Sequence, residues 1–400
     1  MEKLTAKFRV NTPMFIGGAD PASSPPELRV PSIKGALRFW WRALSYGRVG
    51  NDIKQLAQEE AALFGSADSE VGQSKVLLSA RVLGDPESLS KGAVLKDGNG
   101  VVGEGARYLG YGLMEAFESA KKGTKAGQLN RPCLLAPFDF ELDALFHPRL
   151  NSEAKTQVIA ALKIMGLLGG LGSRSRRGYG SISLLSLTQN GNEIWRAPED
   201  VAGLQKELAG FLTGARGGLP SYTALSARTR IVLIDGSTSD SALKLLSRLG
   251  RDFVFYRSWG RSQGNGTSKV LEALSERNFE DDHNMSKGTR AIQQPPRRAA
   301  FGLPHNYGKE DWQSVFGSEH DRRASPLFFH IHQTGAKPVG VLAFLPAVFL
   351  PNGEQVQAFG RSVPQRPDPA IWEPVANFLD RIKDPNQGKV SFSKVVEVRP

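Results

Sequence analysis

Residues 152–187 read "SEAKTQVIAALKIMGLLGGLGSRSRRGYGSISLLSL", and this stretch changes character twice. Ser152–Leu168 is a helix: Val158, Leu162 and Met165 recur at helical spacing, and Gly169 and Gly170 end the run. Ser181–Leu187 carries apolar residues among serines, as a strand does. Between them Gly169, Gly170, Gly172, Gly178 and Gly180 surround Arg174, Arg176 and Arg177. Glycine lets a backbone turn sharply or approach another molecule closely, at an entropic cost. Three like charges within four positions repel one another, so the loop makes physical sense with a polyanion against it.

Working outward, "KLTAKFRV" (3–10) alternates Leu4, Ala6, Phe8 and Val10 with polar residues, the period of a half-buried strand. "SIKGALRFWWRAL" is an amphipathic helix with Ser32 as N-cap and Ile33, Leu37, Trp40 and Leu44 on one face. A short helix ends at "ALFGS", and strands follow at Ser74–Leu83 and Cys133–Asp143. The stretch 84–130 between those strands is a glycine- and lysine-rich insertion with helix expected around Met114–Lys121. With the opening helix–loop–strand, the order is βαββαβ. After a connection over 191–221 the order repeats: strand 228–235, helix "SALKLLSRL", hairpin "SPLFFHIHQT"/"PVGVLAFLP", helix "AIWEPVANFLDRI", strand "VSFSKVVEV". The expected fold is therefore α+β, two tandem ferredoxin-like (RRM-like) domains over 1–190 and 222–400. The second carries a long basic insertion near 258–323, too long for an ordinary connection.

The 51 Lys and Arg against 40 Asp and Glu leave +11, with a pI near 9.7, which favours a nucleic acid or another anionic partner. Cys133 is the only cysteine, so an intramolecular disulfide or a cysteine zinc finger is excluded, and a reducing, cytoplasmic setting is expected. The first residues lack the apolar core of a secretory signal. The longest apolar run, Val339–Leu350, falls short of the roughly 20 residues that span a bilayer, so no membrane partner is expected.

On the first helix Lys34, Arg38 and Arg42 lie four apart and form one stripe, with Trp41 beside it. Phosphate contacts with Trp41 stacking on a base are one reading of that stripe, and a solvated face with Trp41 in the core is the other. The glycine–arginine loop lacks the Gly-Lys-Ser/Thr of a Walker A loop, and Ser175 stands where a dinucleotide fingerprint needs glycine. "RGYGSISL" echoes the first RNP motif, yet Ser181 and Leu184 replace the stacking aromatics. What remains is a cradle of backbone amides and guanidinium groups built from Gly170, Gly172, Arg174, Arg176 and Arg177. Arg297–Arg298 and Arg322–Arg323 read as surface pairs. His330 and His332 share one strand face, but two ligands make no zinc site, so no metal and no cofactor are expected. No histidine precedes His147, and Asp20 sits in a turn-forming loop, so no catalytic residue is assigned.

"NTPMFIGGADPASSPPELRVPSIKGALRFWWRAL", "EEAALFGS", "GGLGSRSRRGYGS" and "RRASPL", in this order, together resemble the RAMP superfamily of CRISPR-associated proteins. The first and third look most like the family of first subunits of the Cmr (type III-B) RNA-guided effector complex. The resemblance implies tandem ferredoxin-like domains and a non-catalytic, cytoplasmic RNA-binding subunit in antiviral defence. It would grip the 3′ part of the CRISPR RNA and the single-stranded target RNA paired to it, beside other RAMP subunits. Carried onto this chain, it makes Lys34, Arg38, Trp41, Arg42, Arg174, Arg176 and Arg177 RNA contacts, with Arg322 and Arg323 from "RRASPL". The alternative on the same fold is a metal-independent endoribonuclease that processes CRISPR precursor RNA.

Overall fold

Strand β1 (Glu2–Val10) buries every second residue and runs antiparallel to two neighbours at once. One is β3 (Phe138–Phe146), where Phe8 faces Phe140 with rings stacked at 5.1 Å; the other is β4 (Ile182–Gln189). β2 (Val76–Leu83) and β5 (Asn192–Arg196) complete a five-stranded sheet ordered β2-β3-β1-β4-β5. A second sheet is ordered β7-β8-β6-β9, from β6 (Arg230–Asp235), β7 (Leu327–Thr334), β8 (Lys337–Phe344) and β9 (Val395–Val398). In each the first strand in sequence lies inside the sheet, between the third and the fourth. These relations come from a computed structural model that describes residues 1–400 except 18–19, 21–24, 67–71, 261–273, 309, 336, 385 and 400.

Helix α1 (Val30–Val49) starts two residues before the expected cap. Arg29 holds the N-cap position and Pro31 lies in the first turn, where a missing N–H costs nothing; Ser32 is not the cap. α2 is Ile53–Phe64. In the 84–130 insertion the helix is α3 (Glu104–Leu109), not 114–121: Gly110 ends it, and Met114 is buried in extended bridges to Tyr111 and Leu129. Gly105 of α3 abuts Gly250 of α6 (Ala242–Arg257) so closely that a β-carbon on either would enter the other helix's backbone. The insertion is thereby clamped to the C-terminal half. A small sheet of strands His305–Asn306, Ser314–Gly317, Gln355–Ala358 and Arg361–Pro364 was not anticipated. Strands of two to four residues carry too little alternation to be seen. The expected insertion 258–323 contributes to it, but its segment 261–273 lies outside the described residues.

Adjacent β6 residues enter different cores. Ile231 and Leu233 join the cluster built on the first sheet, α1, α4 (Ser152–Leu168) and α5 (Val201–Leu212), whereas Val232 and Ile234 join the one under α6, α7 (Glu280–Ser286) and α8 (Glu373–Lys383). The second sheet is therefore covered on both faces, and α4, apolar nearly all round at "IMGLL", is packed from both sides as such a helix must be. On edge strand β7, Phe328, His330 and His332 face α4 while Phe329 and Ile331 face α6. The outward N–H groups of β7 find acceptors across the seam: Phe329 donates to Arg176 O (3.0 Å), Ile331 to Ser181 Oγ (3.1 Å), Gln333 to Ser183 Oγ (2.9 Å). Asn11 Nδ2 donates to Ile331 O at 2.9 Å. An edge that could template aggregation is satisfied internally.

Candidate nucleic-acid interface

The glycine–arginine loop joins α4 to β4 and is braced, not loose. Ser173 N–H donates to Phe15 O (2.8 Å), Gly180 N–H to Pro13 O (2.9 Å) and Thr12 Oγ1 to Gly178 O (2.6 Å). The expectation that its glycines admit RNA needs correction. A β-carbon on Gly172 (φ 85°) would lie 2.5 Å from Phe15 O, one on Gly170 2.9 Å from Gly180 O, and one on Gly180 (φ 60°) inside Leu171 O. These glycines let the chain approach itself. Gly180→Ala is accordingly expected to cost roughly 2–3 kcal/mol, left-handed strain plus overpacking, as a lowered urea midpoint at unchanged slope. The same turn leaves the N–H groups of Gly172, Arg174, Ser175 and Arg176 without an acceptor among the described residues. Arg174, at φ 62°, is a non-glycine in the left-handed region. Successive amides around such a residue form an anion-binding concavity.

The three guanidinium groups diverge. Arg174 donates from Nε to Tyr111 O (2.9 Å) and lies 5.9 Å from the centroid of the exposed Tyr111 ring. Arg176 sits between Phe39 (5.1 Å) and Phe328 (4.6 Å) and donates from Nη1 to Ser325 O at 3.0 Å. Arg177 turns inward against Phe253 (5.5 Å) and Phe329 (5.8 Å), donates from Nη2 to Phe301 O (3.3 Å), and leaves Nη1 buried without an acceptor. None of the three pairs with a carboxylate among the described residues. Burial, then Arg323, pushes Arg176 down to about 10; burial, then Arg257, pushes Arg177 down to about 9. Burial also lowers Arg174. Uncompensated cations in a poorly hydrated place are what an anion would relieve.

Two grooves flank α1. One, of about 260 Å³, is lined by Ala36, Phe39, Gly170, Gly172, Ser175 and Arg176 among others. The other, about 930 Å³, lies towards α2 and holds Lys34 and Arg38, so the basic stripe and the arginine loop do not share one groove. Arg38 Nε pairs with Glu60 at 2.6 Å, and Arg42 pairs with the same carboxylate. Lys34 has no ion pair among the described residues, and burial followed by Arg38 lowers its pKa. Trp41, only 1% exposed against Phe64, cannot stack on a base and is corrected to a core residue. Of the aromatics that line the groove, Trp40 and Phe328 are buried and Phe39 is partly exposed; sequence reasoning passed Phe39 over. Arg322 is exposed; Arg323 bonds through its backbone to Leu303 and keeps a buried Nε without an acceptor, its pKa lowered by burial.

His330 and His332 are buried, with His332 Nδ1 3.2 Å from Ser183 Oγ. Glu319, His320 and Glu354 cluster, but Glu354 is saturated by the N–H groups of Glu319 and His320 and by His320 Nδ1. Burial raises the Cys133 thiol to about 12, making it inert. Asp20 is exposed, and its flanking residues lie outside the described ones. Among the described residues no helix is long and apolar enough to cross a membrane.

Residues 7–183, which hold the end of β1, α1, the insertion and the arginine loop, match the RAMP superfamily. The chain is 26% identical over 347 residues to the CRISPR system Cmr subunit Cmr1-1 of Pyrococcus furiosus, covering 82% of this chain and 83% of that one. It is 29% identical over 185 residues to Cmr1-2 of the same organism, 44% of this chain and 92% of that one. The fold is similar to the crystal structure of Cmr1 from Pyrococcus furiosus in its apo form: TM-score 0.58, 18% identity, 100% of this chain and 99% of that one. Over residues 7–183 the chain thus resembles the RAMP superfamily, and over most of its length it is similar to the Cmr1-1 subunit of a CRISPR system.

Proposed function

We propose that this protein is an RNA-binding, non-catalytic subunit of a cytoplasmic type III-B CRISPR (Cmr) effector complex. In this reading it holds the 3′ part of the CRISPR RNA and its paired target RNA through phosphates, alongside other RAMP subunits. The observation that carries the reading is the arginine loop: around one turn, guanidinium groups with no carboxylate and amide N–H groups with no acceptor among the described residues, beside a groove floored by Phe39. Donors without acceptors suit phosphate oxygens, and phosphate contacts position a strand without reading its bases. Arg174, Arg176 and the loop amides are the inner contacts, Lys34 and Arg322 outer ones, and Arg38, Arg42 and Arg323 supports. Among the described residues the groove lining holds no imidazole or carboxylate, which fits binding better than acid–base cleavage of RNA. The solvent face of the first sheet, the platform of RNA-recognition motifs, is neutralised by pairs such as Arg9–Asp139 (2.8 Å) and Arg81–Glu141 (2.6 Å). The shared strand order of the two sheets supports two tandem ferredoxin-like units, 1–190 and 222–400.

Fluorescence anisotropy of labelled single-stranded RNA against the full chain, at several salt concentrations, tests the proposal. The expected result is a steep log–log salt dependence, little difference between RNA sequences, and no cleavage with or without EDTA. Salt-independent binding, or cleavage that a point substitution abolishes, would overturn it.

A further inference from the structure

Beyond the loop, a second group of donors lies where the insertion meets the C-terminal half. Arg257, the last residue of α6, donates from Nη1 to Tyr108 Oη of α3 at 2.6 Å and from Nη2 to His305 Nδ1 at 2.9 Å. A guanidinium can only donate, so both partners must accept. That fixes the other hydrogens. The Tyr108 hydroxyl proton is free to donate elsewhere, and the neutral imidazole of His305 carries its proton on Nε2. The Arg257 Nε–H is buried without an acceptor, and no carboxylate pairs with this arginine among the described residues. Arg177 arrives from the other half: both guanidinium groups lie against the Phe253 ring, at 5.5 and 5.8 Å from its centroid, and Arg177 Nη1 is a second unanswered donor. Tyr108, Arg257 and His305 are each half-buried, and Pro304 and Asn306 beside them are exposed. The cluster thus offers O–H and N–H donors under a positive charge.

We propose that Tyr108, Arg257 and His305, backed by Arg177, form a second oxyanion subsite that takes a phosphate group. The inference rests on the RNA reading in one respect: the phosphate is then the RNA's own, further along a strand whose first contacts are at the arginine loop. The gap between two such subsites sets a minimum length of RNA that can engage both.

Tyr108→Phe removes one hydroxyl and keeps the ring that packs edge-on to Phe253; Arg257→Gln removes the charge. With the full chain and a labelled single strand of about 20 nucleotides, Arg257→Gln is expected to flatten the log–log salt slope by about 0.7. Tyr108→Phe is expected to weaken binding about threefold to tenfold with the slope unchanged, as the loss of a neutral donor should. Wild-type affinity and slope in both variants, with the melting temperature of Tyr108→Phe unchanged, would overturn the subsite while the loop remained an RNA contact. A wild-type chain that binds no RNA would sink the RNA reading instead. Inorganic phosphate then decides: a rise in melting temperature in wild type that Tyr108→Phe loses upholds a small-anion site, and no rise in wild type overturns it.

Discussion

Replacing Arg174 and Arg176 together by alanine is expected to lower affinity for single-stranded RNA at least tenfold at moderate salt. The log–log salt slope should flatten by about 1.4, roughly 0.7 for each phosphate that the protein no longer neutralises. Both side chains are held in place before any ligand arrives, Arg174 by the Tyr111 carbonyl and Arg176 by two aromatic rings and the Ser325 carbonyl. Little ordering is left to be done on binding, so their charges act at nearly full strength. Anisotropy titrations at four or more salt concentrations measure both quantities, and an unchanged slope would move the phosphate site off the loop. Arg177 supplies the contrast. Its cation is buried with no carboxylate partner among the described residues, so Arg177→Met, which keeps the apolar stem, is expected to stabilise the free protein by about 1–2 kcal/mol. A variant that is more stable yet binds RNA less well marks a charge kept for a ligand and not for the fold.

Acid should unfold this protein earlier than its carboxylates alone require. His332 is fully buried and its pKa is pushed down to about 4, chiefly by burial; His330 is lowered well below its ordinary value by burial and then by His332. A base with a lower pKa in the folded state leaves the unfolded chain binding more protons throughout the window between the two values. Stability is therefore complete above about pH 6.5 and declines as pH falls towards 4. At about 1.4 kcal/mol per pH unit, His332 alone withdraws about 3 kcal/mol over that interval. Urea midpoints at pH 7.5, 6, 5 and 4 measure the decline, and a His330→Leu/His332→Gln variant should flatten it. Equal slopes in wild type and variant would show that neither imidazole is held neutral.

The order of the main elements was legible because each announces itself locally: β1 by strict alternation, α4 by helical spacing and the glycines that end it, the β7–β8 hairpin by two apolar runs around a short turn. Contacts made at a distance were not legible. Three aromatics in a row, Phe39, Trp40 and Trp41, say only that α1 is flanked on several sides. α2 fills the side of Trp41, and the groove remains at Phe39, because Phe64 and Phe328 come from elsewhere in the chain. The arginine loop announced its charge but not its directions, which depend on Tyr111, Ser325 and Phe301, far away in sequence. Its glycines were equally silent, since what they face, Phe15 and Leu171, appears only after folding. Arg257 gave no signal, being a single basic residue at a helix end.

The position of α4 between the two sheets has a consequence for inheritance as well as for packing. An insertion or deletion that shifts this helix by one residue rotates its buried side chains by about 100° and misplaces apolar contacts on both sides together. The arginine loop begins where this helix ends. A helix packed from both sides therefore serves as the mount for the arginine loop, and variation can be accommodated at the rim of the groove far more readily than at its floor.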